Sequence, residues 1–120
     1  MKRFLALTAL SWTLITPAFA DEPVVSAVKT ERSSMGWRIS VTLTHPDSGW
    51  DHYADGWEVL DRTGKRLGYR ELMHPHVDEQ PFTRALFNVM VPDGERVIFV
   101  RSRCSKEGWS DKMVKVQIQR

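Results

Sequence analysis

The sequence predicts an all-β domain, a two-sheet sandwich of seven strands. Three observations lead there. Apolar residues recur with a period of two: Trp37, Ile39, Val41 and Leu43 share one face, and Arg38, Ser40, Thr42 and Thr44 the other. That alternation marks a half-buried strand. Turn-forming clusters such as Asp61-Arg62-Thr63-Gly64-Lys65 and Pro92-Asp93-Gly94 punctuate the chain, giving strands spaced about ten residues apart. No segment carries the periodicity of an amphipathic helix, and there is no repeat or low-complexity tract.

The strands follow in order. Residues 24–30 make the first, and residues 37–44 the second. Residues 56–61 and 66–73 form a hairpin across Asp61–Lys65, a polar turn with Gly64 where a positive φ is wanted. Residues 83–91 place Phe87, Val89 and Val91 on one face. Pro92-Asp93-Gly94 leads into residues 96–104, and residues 113–119 close the domain with Val114, Val116 and Ile118 inward.

Residues 1–20 read as a cleavable secretory signal. Lys2 and Arg3 make a positive start, Phe4 to Thr16 is a short apolar run, and Ala18-Phe19-Ala20 sets small residues at the positions a signal peptidase reads. The run is too short to span a bilayer, and no Cys lies near the cleavage point to take a lipid anchor. A periplasmic protein cleaved after Ala20 is expected, with residues 21–120 as a single domain and no membrane attachment thereafter. The whole chain has 17 basic and 15 acidic residues. Lys2 and Arg3 leave with the signal, so the remainder is 15 against 15. A balanced chain without a basic stripe is not expected to bind nucleic acid. Cys104 is the only cysteine, so no internal disulfide can form. A monomer is expected.

Residues 24–119 resemble a fibronectin type III or immunoglobulin-like domain in strand order and length, without the inter-sheet cysteine pair of antibody domains. The stretch from Gly56 to Trp109, with His74-Pro75-His76 and Glu79-Gln80-Pro81-Phe82-Thr83-Arg84, resembles small exported bacterial proteins. Neither resemblance carries an activity with it.

Strand alternation places the chemistry. When strand direction alternates, the second, fourth and sixth connections share one pole, here residues 44–56, 73–83 and 104–113. His45, His52, His74 and His76 all fall there, with Met73, Cys104 and Met113 at strand ends. His, Met and Cys donors suit copper, and His with Cys also suits zinc. His74-Pro75-His76 is the sharpest element: an i, i+2 pair in extended chain points both rings to one side, and Pro75 stiffens it. The sequence therefore predicts a copper or zinc site built on His74 and His76, with His45 or His52 as third ligand and Met73 or Cys104 as a soft donor. The competing reading makes these histidines structural. Gln80, Arg84, Asp78 and Glu79 would then hydrogen-bond the loop into shape, and Cys104, following Ile98, Val100 and Ser102 on one face, would be a small core residue.

Trp37 and Trp57 sit inside strands and are expected in the core. Trp50, Tyr53 and Trp109 lie in the connections of the histidine pole, where exposed rings could hold a protein or a glycan. Arg101 and Arg103 continue the strand face of Val97 and Phe99. If that face is the outer one, it mixes apolar and guanidinium groups, as contact surfaces do. No GxSxG elbow, HExxH, CxxC or phosphate-cradling loop is present, and no enzyme is expected.

Overall fold

The computed structural model describes residues 22–119, together with Ala9 and residues 11–13. The signal expected over residues 1–20 lies almost wholly outside the described residues. Eight strands follow in order: β1 (Val24–Ser33), β2 (Gly36–Thr44), β3 (Ala54–Leu60), β4 (Arg66–Glu71), β5 (Phe82–Val89), β6 (Val97–Cys104), β7 (Gly108–Trp109) and β8 (Val114–Gln117). Seven match the expected strands. The additional β7 is a two-residue pairing of Gly108 with Cys104 and of Trp109 with Arg103, too short to leave a periodic trace.

The strands form two antiparallel sheets. One has the order β1-β2-β5. The other runs β4-β3-β6, with β7 and β8 both paired to β6. Alternation dictates what each sheet buries. Trp37, Ile39, Val41 and Leu43 of β2 meet Trp57 and Val59 of β3, and Ile98 and Val100 of β6, in one core that Leu72, Phe82, Val89 and Ile118 complete. Burying each large aliphatic or aromatic side chain stabilises by about 1.5–3 kcal/mol relative to exposure. Trp37 and Trp57 are core residues as expected. Gly68 allows β4 to close on β5, since a Cβ there would lie 2.5 Å from Leu86 Cδ2.

Strand β5 departs from the expected alternation. Phe87 does not share the inward face of Val89: it is 62% exposed, whereas Val89 is buried. The cause is a bulge. Val89 pairs with Trp37, but Leu86 pairs with Ile39, so β5 spends one more residue than β2 over that step. Asn88 absorbs it at φ 57°, a left-handed conformation Asn tolerates better than most residues.

The outer face of the larger sheet carries a polar lattice. Glu58 is buried there, its carboxylate accepting from Arg66 at 2.7 Å and Arg101 at 2.6 Å, and Arg103 pairs with Asp55. Trp109 lies among the guanidinium groups of Arg66, Arg101 and Arg103, with Tyr69 edge-on at 6.0 Å. The face of Arg101 and Arg103 is thus the outer one. Trp109 is a strand residue on this face rather than a loop residue at the histidine pole.

Candidate functional site

Alternating strand direction brings the three long connections to one pole, and hydrogen bonds tie them together. The His45 backbone N–H donates to Gln80 Oε1 at 3.0 Å, joining the β2–β3 connection to the β4–β5 connection. The Tyr53 N–H donates to Ser105 Oγ at 3.0 Å, and the Ser105 N–H to the Tyr53 carbonyl at 2.9 Å, joining the first of these to the end of β6.

Asp47 is the centre of this arrangement, and its side chain is fully buried. Its Oδ1 accepts from His45 Nδ1 at 2.5 Å and from the Ala54 N–H at 2.9 Å, and its Oδ2 accepts from the His76 N–H at 2.8 Å. Three donors from three segments converge on one carboxylate. That fixes the loop containing both His45 and His52. The same loop is closed by paired backbone bonds, Ser48 N–H to the His52 carbonyl and His52 N–H to the Gly49 carbonyl.

The four histidines separate into two pairs. His45 and His52 meet edge to face, with ring centroids 4.8 Å apart. Cys104 completes this group: one ligand atom from each of His45, His52 and Cys104 lies within 4.8 Å of the other two. Cys104 and His45 are buried, and His52 is partly so. Within the group, His52 Nε2 is buried without a hydrogen-bond partner. Cys104 is a core residue, as the structural reading expected, and it also faces two imidazoles.

His74 and His76 form the second pair, centroids 4.4 Å apart, and they lie outside the three-residue group. His76 is held at its ring face and at Nε2, while its Nδ1 is buried without a hydrogen-bond partner. Its ring stacks on Phe82 at 3.8 Å, and Arg84 donates to its Nε2 at 2.9 Å. Burial, then the Arg84 and His74 charges, lower its pKa below the usual histidine value, against smaller opposing effects of Asp47 and Glu79. His76 is therefore a neutral ring whose Nε2 lone pair already faces a cation, with its proton on Nδ1. Gln80 also donates to the His76 carbonyl at 2.9 Å. His74 is exposed and directs Nδ1 to the Pro75 carbonyl at 2.9 Å. Met73 is exposed beside it.

Of the aromatic residues expected at the pole, Trp50 stands 68% exposed and meets the half-buried Tyr53 edge-on at 5.7 Å. Trp109 lies on the outer sheet face. Asp47 was one carboxylate among seven in the pole's sequence, and its spacing two residues after His45 was the only trace of its role.

No family model matches the chain. Over 81 residues it is 41% identical to a protein of Halomicrobium mukohataei described as "Putative lipoprotein", covering 68% of this chain and 39% of that one. The chain thus spans about two fifths of that relative's length. In structure it is similar to a hypothetical protein from Pyrococcus horikoshii OT3, with a TM-score of 0.55 and 17% identity over 83% of this chain and 93% of the other. That likeness is one of fold.

Proposed function

We propose that this is an exported binding protein, not an enzyme, and that it holds a transition-metal ion, copper or zinc, at His45, His52 and Cys104. The observation that carries this reading is the convergence of two imidazoles and a thiol within 4.8 Å at the buried end of the sandwich. Thiolate with imidazole is a donor set that suits both metals. Asp47 supports it by orienting His45 through Nδ1, as carboxylates that accept from a ligating imidazole commonly do at protein metal sites. The expected pair His74 and His76 is less suited, because Arg84 already occupies the His76 Nε2 lone pair. Export fits the description of the Halomicrobium relative; a signal cleaved after Ala20 and a periplasmic location rest on the sequence of residues 1–20 alone, and the strand order fits a fibronectin type III or immunoglobulin-like arrangement.

Competition titration with Zn(II) tests the site. One equivalent should bind, with affinity falling at least 100-fold in His45→Ala and Cys104→Ser and staying within about threefold in a His74→Ala/His76→Asn variant. Binding that survives loss of Cys104 and His45 contradicts the proposal. A second reading, a protein or glycan contact through the same pole, is favoured by Trp50 standing exposed with Met73, Val77 and Met113. Its test is a metal-independent interaction lost in Trp50→Ser.

A further inference from the structure

We infer that the free edge of β1 pairs with β1 of a second copy of this chain. The two strands run antiparallel about a two-fold axis through Thr30, and the three-stranded sheets of both copies join into one continuous sheet. This departs from the monomer expected from the sequence, and it does not depend on the metal-binding reading.

The edge is open. Among the described residues β1 pairs with β2 alone. The opposite edge of the same sheet is covered, because β4 closes on β5 where Gly68 meets Leu86. Beside β1, a hollow of about 340 Å³ lined by residues 25–28 and 114–117 separates it from β8. A strand edge left in this way presents a row of N–H and C=O groups ready to pair with another strand.

The β1–β2 hairpin decides which groups that row contains. Its two-residue turn, Ser34-Met35, closes on the Ser33–Gly36 pair. A pair flanking such a turn is of the hydrogen-bonded kind, and the two kinds alternate along an antiparallel ladder. Glu31 with Arg38 and Lys29 with Ser40 therefore spend their backbone groups on β2. The backbone groups of Val28, Thr30 and Arg32 face the free edge. Upstream, Val25 pairs with Leu43 and Ala27 with Thr42, so Ser26 is a bulge that confines regular pairing to residues 27–33.

Charge then selects the partner and the register. Lys29 and Glu31 stand side by side on the outer face, 2.8 Å apart, with Arg38 3.6 Å from Glu31. In a pairing centred on Thr30, Lys29 falls opposite Glu31 of the second copy, and Glu31 opposite its Lys29. Both are non-hydrogen-bonded pairs, in which side chains approach most closely. The neighbouring registers of the same parity, centred on Lys29 or on Glu31, set two lysines or two glutamates face to face. On the inner face Val28, partly buried against the core, falls opposite the methylene stem of Arg32 of the second copy. A lysine on an edge strand ordinarily guards against pairing. Here the opposite charge two residues on makes the strand complementary to itself in one register.

The test is analytical ultracentrifugation of the purified protein over a concentration series reaching the millimolar range, with reductant present so that Cys104 cannot cross-link copies. The mass should rise from one chain to two. Thr30→Pro removes a donor from the free edge without touching a β1–β2 bond, and it should abolish association. Lys29→Glu and Glu31→Lys should each weaken self-association by about tenfold or more, since every cross-copy pair becomes like-charged. An equimolar mixture of those two variants should associate within about threefold of wild type, because each glutamate then faces a lysine. Both side chains are at the surface, so the charge variants keep the test valid if Thr30→Pro does not fold. A single-chain mass at every concentration overturns the inference. So does a dimer that a folded Thr30→Pro variant retains, or a mixture that associates no better than either charge variant alone.

Discussion

His45 with His52 and His74 with His76 occupy the same pole, are of similar ring separation, and differ in what their nitrogens face. The first pair looks onto a buried thiol, with one ring oriented by a carboxylate and the other left with an unpartnered nitrogen. The second pair has its buried member stacked on Phe82 and capped at Nε2 by Arg84, leaving Nδ1 as its unpartnered nitrogen, and its exposed member turned onto the Pro75 carbonyl. Imidazole density is therefore a poor guide to a ligand set. The partner of each ring nitrogen decides whether a lone pair is available, and a guanidinium opposite Nε2 removes one as surely as a mutation would.

Asp47 joins the two pairs, one oxygen on His45 and the other on the His76 backbone, so its loss tests both at once. Asp47→Ala should destabilise the domain by about 3–5 kcal/mol, because three buried donors lose their acceptor. Chemical denaturation measures this, and a loss under 1 kcal/mol would mean the carboxylate does not organise the pole. Asp47→Asn keeps the shape and some of the bonds. It should lower metal affinity by about 10–100-fold, the usual effect of removing a carboxylate that orients a ligating imidazole.

His76→Ala sharpens the contrast from the other side. It should cost about 2–3 kcal/mol through the lost stack on Phe82 and the stranded Arg84, and leave the metal stoichiometry at one per chain. The same residue sets a pH dependence. Its pKa is lowered in the folded protein, so below the ordinary histidine value, about 6.5, the unfolded chain binds a proton that the folded one does not. This contribution to stability is fully present above about pH 6.5 and is lost as pH falls towards the lowered folded value. The difference in stability between wild type and His76→Asn should shrink over that window. A difference independent of pH contradicts the assignment of His76 as a buried neutral ring.

The smallest effect is expected at Trp50. Its ring is mostly in solvent, so Trp50→Ser should change stability by under about 0.5 kcal/mol. A larger loss would show that the ring covers the core end.

Much of this was legible in the residues. Period-two alternation located seven strands, and alternation of direction gathered His45, His52, His74, His76 and Cys104 at one pole. The competing structural reading named Gln80 and Arg84 as partners of the His74–His76 loop, and both are. Two features were not legible. The bulge at Asn88 inverts the side of Phe87, and one extra residue in a ladder leaves no mark on apolar periodicity. The choice between histidine pairs depended on Arg84 reaching His76 from the neighbouring strand and on Cys104 lying across the sheets from His45. Both are long-range contacts that no local spacing encodes. Trp109 was misplaced for a related reason, since β7 exists only through its pairing with β6.

The most direct test of the account is X-ray absorption spectroscopy on the copper- or zinc-loaded protein. The account predicts one sulfur at about 2.3 Å and two imidazole nitrogens at about 2.0 Å, with the sulfur absent from Cys104→Ser. A first shell of nitrogen and oxygen alone, unchanged by Cys104→Ser and lost in His74→Ala/His76→Asn, would place the metal on the other pair and contradict it.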